Sequence, residues 1–315
     1  MQHQSFSSAR PRGHRLALVL GSGGVRSIAA LGIAQRLAQE GLRPDLIAGC
    51  SSGALFGAQI AMGLQGEQAL RAATALWSAE LTQQRRWRAY VQILAPRLAG
   101  FGTGFALRDD RLIAERIARA FGDAQLEQLE TPLRVSATDA ASGRPVVLTR
   151  GSVVDALRAS MAVPVIFPSV EIGGQRLVDG VLSDPLPFSA ATDAQVVVAL
   201  GFRGAMPRRV DRLSRLVAQT STTLINNLMQ ARMDAARAAG QTVIGLELGL
   251  DRHVGLWDTA AMPYLFEAGR RAVQARLTDI FSALEQAGSS PTLPLFDFQP
   301  QTHAIEKNDL HYNTH

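Results

Sequence analysis

The stretch that decides the fold of this chain is Asp45-Leu46-Ile47-Ala48-Gly49-Cys50-Ser51-Ser52-Gly53-Ala54-Leu55-Phe56-Gly57-Ala58. Its apolar run from Leu46 to Ala48 follows Pro44 and breaks at a glycine, and helix-forming residues continue from Ala54 to Leu64. This pattern predicts a strand, a sharp turn and a helix, with Ser51 at the apex of a Gly-x-Ser-x-Gly sequence. We interpret the turn as a nucleophile elbow; the alternative is an ordinary glycine-rich turn.

The two glycines of this turn have a mechanical role in the elbow interpretation. The apex of such a turn is strained, and a Cβ atom at Gly49 or Gly53 would collide with the adjoining strand or helix. The strain lifts the Ser51 hydroxyl clear of the sheet, and the N-terminus of the following helix presents free N–H groups to negative charge. The sequence therefore predicts a serine placed for nucleophilic attack.

The composition is that of a globular protein in a reducing compartment. Of 315 residues, 47% are hydrophobic and 19% are charged, and the net charge of +5 comes almost entirely from arginine, since Lys307 is the only lysine. The positive charge is scattered, so we expect no nucleic-acid partner. The single cysteine, Cys50, excludes an internal disulfide, and no apolar run approaches the roughly 18 to 20 residues of a membrane span. We expect a cytoplasmic location and leave open a peripheral contact with the inner membrane.

A second glycine-rich turn lies near the start of the chain. The apolar run Arg15 to Leu20 ends in Gly21-Ser22-Gly23-Gly24-Val25-Arg26-Ser27, and a helical pattern follows. A dinucleotide-binding loop would need glycine at the position of Arg26. We therefore favour an anion-binding loop, in which consecutive glycines aim several backbone N–H groups at one point.

The segment from Arg85 to Phe105 has two interpretations. It interleaves arginines with aromatic and apolar residues, among them Trp87, Tyr90 and Leu94. Such a pattern suits a segment at a lipid surface. It equally suits a solvated surface helix with a glycine-rich lid loop.

Strands alternate with helices along most of the chain. Gln195 to Leu200 is continuously apolar, as in a strand buried on both faces, and Ala260 to Ala287 predicts one final amphipathic helix. The alternation predicts an α/β protein with a three-layer α/β/α architecture and a mostly parallel central sheet. We expect a flexible tail over residues 1–14, one domain over 15–287 and a C-terminal tail or arm over 288–315.

A serine hydroxyl needs a base, and the sequence offers two candidates. Of the six histidines, only His253 lies outside the predicted tails, in a loop after a strand. The other candidate is Asp179, which ends the strand Gln175 to Val178 and is followed by Gly180. Sites of open α/β sheets assemble at the carboxyl edge of the strands, where Asp179 would lie.

Five stretches of this sequence together resemble the patatin-like phospholipases in order and spacing. Three of them are Gly21-Ser22-Gly23-Gly24-Val25-Arg26, Gly49-Cys50-Ser51-Ser52-Gly53 and Asp179-Gly180-Val181. The others are Ala137-Thr138-Asp139 with Gly143, and Ala159-Ser160-Met161-Ala162-Val163-Pro164 with Phe167-Pro168. The resemblance covers roughly residues 15 to 280. The chain departs from the family pattern at Ser22, Ser27, Val181 and Asp184, none of which would carry a reacting group.

The resemblance implies a patatin-like α/β fold and a metal-free acyl hydrolase of the phospholipase A or lysophospholipase type, acting on a lipid ester without a cofactor. Ser51 would be the nucleophile and Asp179 the base. Backbone N–H groups of Gly23 and Gly24, with that of Ser52 as a further option, would hold the oxyanion, and Arg26 would add positive charge nearby. The oligomeric state is open.

Three alternatives remain at this point. The chain could be a non-catalytic regulator that binds lipid or protein on the same fold, although a pure binder has no need of a strained serine elbow. It could be an esterase with a Ser-His-Asp triad that uses His253. Cys50 could also be the nucleophile, but we expect its side chain to point away from the apex into the strand–helix packing.

Overall fold

The computed structural model describes residues 14–82, 89, 102, 105–206, 209–255 and 257–289. Both predicted tails, except for His14, Gly288 and Ser289, and nearly all of the segment from Arg85 to Phe105 lie outside these residues. Within them, eight strands form one sheet. The strands are β1 (His14–Leu20), β2 (Leu46–Cys50), β3 (Leu133–Asp139), β4 (Pro145–Leu148), β5 (Val170–Ile172), β6 (Gln175–Asp179), β7 (Ala194–Leu200) and β8 (Thr242–Leu246).

Helices flank this sheet on both faces. They are α1 (Ala29–Gln39), α2 (Ser52–Ala61), α3 (Gly66–Leu76), α4 (Arg111–Phe121), α5 (Val153–Ser160), α6 (Leu213–Ala238), α7 (Met262–Gln274) and α8 (Leu277–Ser289). Short 3₁₀ turns connect several of them, including Gly24–Ile28 before α1 and Gly180–Leu182 after β6. None of the helices in the described part of the chain is both long and apolar enough to cross a membrane.

The central strands are buried on both faces because their alternate side chains enter two separate cores. In β1, Leu16, Leu18 and Leu20 face the larger core with α1 and α2. The neighbouring side chains Ala17 and Val19 face a smaller core that α6 completes with Met229 and Ala236. Such continuous apolar runs are typical of parallel strands covered by helices on both sides. The predicted three-layer α/β/α architecture is confirmed.

Five strands of the sheet, in the order β3-β2-β1-β7-β8, run parallel, and β4, β5 and β6 add antiparallel pairs. The register on β3 is what assembles the site. Cys50, the last residue of β2, lies opposite Ser136 of β3. Asp179, the last residue of the antiparallel strand β6, lies opposite the next residue of β3, Ala137. The end of β2 and the end of β6 therefore meet at adjacent positions of the same strand, which brings together residues distant in sequence.

The single helix predicted over Ala260 to Ala287 is wrong. A turn at Ala275 and Arg276 divides it into α7 and α8. α7 packs against α1, whereas α8 packs against β1, β7 and β8. Neither turn residue is a helix breaker, so the division reflects packing on two different surfaces and not local propensity.

Candidate active site

The turn after β2 has the strained geometry that the sequence predicts. Ser51 adopts φ 55° and ψ −124°, a conformation rarely seen outside glycine. A Cβ atom on Gly49 would lie 2.5 Å from the Cα atom of Ala54, and one on Gly53 would lie 2.4 Å from the carbonyl oxygen of Leu20. Only glycine fits at these two positions. α2 begins at Ser52, so the Ser51 side chain stands at the N-terminus of a buried helix.

The Ser51 hydroxyl donates a hydrogen bond to Asp179. Its Oγ lies 2.8 Å from Oδ2 of that carboxylate, although the two residues are 128 positions apart. The other carboxylate oxygen, Oδ1, accepts the Val181 N–H at 2.8 Å. Both residues are buried: Asp179 is fully enclosed and Ser51 is 9% exposed. The structure thus brings together the two residues that the sequence predicts as nucleophile and base.

Burial controls the protonation of Asp179. Removal of water raises its pKa from the ordinary aspartate value to about 7, and hydrogen bonds from Val181, Ser51 and Cys50 oppose this shift. A carboxyl group with such a pKa is half ionised near neutrality, so it can both accept and return a proton in one reaction cycle. A base that cycles protons near pH 7 needs a pKa in this range.

Cys50 is buried, as predicted, but its side chain does not point only into apolar packing. Its sulfur lies 3.8 Å from Oδ1 of Asp179. Burial raises the pKa of the thiol well above its ordinary value, and the charges of Asp179 and Asp184 raise it further. Because the thiolate is the reactive form of cysteine, this environment makes Cys50 a poor nucleophile.

The last residue of α5 and the segment that follows it hold the backbones of Ser51 and Asp179, a role that the sequence does not predict. The Ser51 N–H donates to Oγ of Ser160 at 2.8 Å, and that hydroxyl donates to the carbonyl oxygen of Ser136 at 2.6 Å. Two residues further on, the Ala162 carbonyl oxygen accepts the Asp179 N–H at 3.0 Å. The only signal in the sequence was the family-like stretch from Ala159 to Pro164.

The glycine-rich turn after β1 is pinned to the N-terminus of α2 by hydroxyl groups. Ser52 Oγ accepts the Gly23 N–H at 3.1 Å and lies 2.9 Å from Oγ of Ser27. Ser27 also donates to the carbonyl oxygen of Gly21 at 3.2 Å. The hydroxyl of Ser27, one of the departures from the family pattern, thus ties the turn to α2.

Two of the predicted oxyanion donors therefore differ in their surroundings. The Gly23 N–H already donates a hydrogen bond to Ser52. Gly24 is the first residue of a 3₁₀ turn and has φ 61°. Its N–H has no acceptor among the described residues, as is usual at the start of a helix. Gly24 faces the cavity beside Ser51. The Ser52 N–H occupies the corresponding first position of α2.

Arg26 is half-buried near the same point. Its Nε donates to the carbonyl oxygen of Gly23 at 3.3 Å, and its guanidinium carbon lies 5.1 Å from the centroid of the Phe202 ring. Burial lowers its pKa, but an arginine stays protonated under physiological conditions. Arg26 has no carboxylate within ion-pair distance in the described part of the chain, so its charge is available to the cavity.

A cavity of about 240 Å³ opens beside Ser51. Ser51, Gly24 and Arg26 are among the residues that line it, and most of its wall is apolar. Side chains from several elements form that wall: Trp77, Ile113, Met161, Val163, Phe167, Phe202, Ile225 and Trp257. Trp77 and Trp257 stack with their ring centroids 4.8 Å apart. A serine hydroxyl in the wall of a mostly apolar cavity suits a substrate that carries a polar group on a hydrocarbon chain.

Gly180 and Asp184 shape the turn after Asp179. A Cβ atom on Gly180 would lie 2.6 Å from the carbonyl oxygen of Ser136, so this glycine lets the turn approach β3 closely. Asp184 is fully buried; it accepts a hydrogen bond from Ser189, and its Oδ1 lies 3.6 Å from Nε of Arg232. Burial raises the pKa of Asp184 to about 6. Asp184 does not line the cavity.

His253 is not part of this site. It is exposed in the loop after β8 and does not line the cavity. No described group of three or more His, Cys, Asp or Glu side chains is arranged to hold a metal ion.

The family model for patatin-like phospholipases matches residues 18–192, more than half of the chain, so the chain belongs to that family. An uncharacterized NTE family protein of Mycobacterium tuberculosis is 34% identical over 218 residues, which cover 66% of this chain and 57% of that protein. Patatin-like phospholipase domain-containing protein 7 of Rattus norvegicus is 32% identical over 206 residues, covering 63% and 14%. The chain thus spans little more than half of the mycobacterial protein's length.

Among solved structures, the crystal structure of VipD from Legionella pneumophila is similar, with a TM-score of 0.42 and 15% identity. The match covers 88% of this chain and 67% of that one.

Proposed function

We propose that this protein is a serine acyl hydrolase that cleaves acyl ester bonds of lipids, of the phospholipase A or lysophospholipase type. The observation that carries the proposal is the hydrogen bond of 2.8 Å from the Ser51 hydroxyl to the buried carboxylate of Asp179. Membership of the patatin-like phospholipase family and the apolar wall of the cavity support a lipid substrate.

The reaction would begin with ionised Asp179 taking the proton of Ser51 as Oγ attacks the carbonyl carbon of the ester. Negative charge then develops on the carbonyl oxygen. The N–H groups of Gly24 and Ser52 would stabilise it, with Arg26 adding a positive charge nearby. The Gly23 N–H would contribute only if its bond to Ser52 opened.

The tetrahedral intermediate would collapse by breaking the ester bond. Protonated Asp179 gives its proton to the leaving alkoxide, and the acyl group stays on Ser51. A water molecule, deprotonated by Asp179, then attacks the acyl-enzyme, and Ser51 recovers its proton as the fatty acid departs. The net reaction consumes one ester and one water and yields one alcohol and one carboxylic acid.

Labelling with a fluorophosphonate probe tests this function. We expect the wild-type protein to be labelled, and Ser51→Ala to lose both labelling and ester hydrolysis while it keeps the fold, because only one oxygen is removed. The loss of turnover should be at least about a thousandfold. Cys50→Ala is the matched control beside it and should stay labelled. A labelled Ser51→Ala, or an unlabelled wild type without hydrolysis, would contradict the proposal and favour a lipid- or protein-binding regulator.

A further inference from the structure

The N-terminal half of α6 presents an unusual apolar stripe to solvent. Its members are Leu213 (76% exposed), Leu216 (49%), Val217 (57%) and Leu224 (64%). At 100° per residue these four side chains, with Thr220 among them, fall within about 100° of one face of the helix. A surface helix of a globular protein normally turns such a face inward.

The opposite face of the same half-helix lines the cavity beside Ser51. Thr222, Ile225 and Asn226 contribute to the cavity wall. Further along α6, Nη2 of Arg232 donates to the carbonyl oxygen of Ser183, close to the turn that holds Asp179. One helix therefore separates the cavity from the exposed stripe.

The charges around the stripe have one dominant sign. The described residues from Arg209 to Leu224 hold three arginines, Arg209, Arg212 and Arg215, and a single acidic residue, Asp211. Asp211 pairs with both Arg212 and Arg215, so it neutralises only part of their charge. Aliphatic side chains beside arginines are the pattern of a helix that lies in the interface of an anionic membrane.

We propose that α6 docks on an anionic phospholipid surface through this stripe, defined as Leu213, Leu216, Val217 and Leu224. The inference rests on the proposed lipid hydrolysis for its purpose, because a helix with one face on the lipid and the other on the cavity places Ser51 next to its substrate. The stripe has no aromatic member, unlike the centres of most protein interfaces, where tryptophan and tyrosine are enriched. It is also distinct from the segment between Arg85 and Phe105.

Vesicle sedimentation with full-length Ser51→Ala protein tests the docking without consuming lipid. The vesicles contain equal amounts of phosphatidylglycerol and phosphatidylcholine, or phosphatidylcholine alone. Replacing all four stripe residues by serine in this background should lower the partition coefficient on the anionic vesicles by about tenfold or more. The control Met62→Ser/Phe281→Ser removes exposed apolar side chains elsewhere and should sediment like the parent protein.

A second pair of substitutions separates charge from apolar contact. Arg209→Ser/Arg212→Ser should weaken binding to the anionic vesicles by about fivefold per arginine and leave the weaker binding to phosphatidylcholine unchanged. In otherwise wild-type protein, the stripe substitutions should slow hydrolysis of vesicle lipid and spare hydrolysis of a soluble monomeric ester.

Unchanged sedimentation of the stripe variant would overturn the proposal, as would an equal loss in the control variant. Analytical ultracentrifugation covers the case in which the stripe joins two copies of the chain: a dimer that the substitutions dissociate, with vesicle binding intact, also overturns it. So does a large fall in melting temperature, which would mean that the chain itself covers the stripe. If the wild-type protein does not hydrolyse the soluble ester, the proposed function fails. Sedimentation uses the Ser51→Ala protein, so it still decides whether α6 docks on the vesicles.

Discussion

At the scale of single residues, the protonation of Asp179 is the feature with the clearest kinetic consequence. In the proposed mechanism the carboxylate must be ionised to take the Ser51 proton, and burial raises its pKa to about 7. We therefore expect kcat/KM for a soluble ester to rise with pH, with a midpoint near 7, falling about tenfold for each pH unit below it. A stopped assay of initial rates between pH 5 and 9 measures this profile.

Asp179→Asn and His253→Ala assign that profile to a residue. The asparagine variant should lose several orders of magnitude in kcat, because an amide cannot accept the proton. His253→Ala should keep both the rate and the midpoint, since His253 is exposed and does not line the cavity. The reverse ranking would replace the proposed dyad with a histidine-dependent mechanism.

The sequence made Ser51 and Asp179 predictable, but not the groups that hold them. A Gly-x-Ser-x-Gly between a strand and a helix constrains its own backbone locally, so the elbow can be inferred without tertiary information. The contacts of Ser160 with Ser51 and Ser136 span 109 and 24 residues and leave no local pattern. The contact between Ser27 and Ser52 likewise cannot be read from a local pattern, because it depends on how the glycine-rich turn after β1 lies against α2.

At the scale of elements, the contact between α1 and α7 depends on two glycines. A Cβ atom on Gly269 would lie 2.1 Å from the carbonyl oxygen of Ala29, and one on Gly32 would lie 2.0 Å from that of Phe266. The two backbones therefore touch, which is closer than helices with side chains at the contact can approach. Because α7 is held against α1 by this contact, it does not continue straight into α8, which packs on the sheet.

Gly269→Ala should destabilise the protein by about 2 to 3 kcal/mol, because the helices must separate to admit the methyl group. Alanine normally stabilises a helix interior relative to glycine. A loss of stability in Gly269→Ala would therefore show that the added methyl group meets α1. Gly245→Ala is the control, since nothing lies within 4 Å of the added methyl group. Urea titrations followed by circular dichroism compare the two variants, and equal stabilities would contradict the packing argument.

At the scale of the whole molecule, the two buried carboxyl groups make stability depend on pH. An unfolded aspartate has a pKa near 3.9, whereas the folded values are about 7 for Asp179 and about 6 for Asp184. Between these values the folded protein keeps protons that the unfolded chain has released. The two carboxyl groups therefore make their full contribution to the free energy of unfolding below about pH 4. This contribution is lost as the pH rises through 6 for Asp184 and 7 for Asp179.

Asp179→Asn tests this linkage, because an amide has no proton to lose. As the pH rises from 5 to 8, the free energy of unfolding of the wild type should fall relative to that of Asp179→Asn, by an amount on the order of a few kcal/mol. Denaturation curves at both pH values measure the change. A constant difference between the two proteins would mean that burial does not raise the pKa of Asp179 in the folded protein.

The register that joins the ends of β2 and β6 on β3 also sets when the proposed Ser51–Asp179 pair can first form during synthesis. Ser51 leaves the ribosome 128 residues before Asp179, which at ordinary translation rates of about 5 to 20 residues per second amounts to about 6 to 26 s. During that interval Ser51 has been made but Asp179, its proposed base, has not. β7, which pairs with β1 in the middle of the sheet, comes later still. Under the proposed function, a nascent chain held close to a membrane cannot hydrolyse its lipids until most of the chain has been translated.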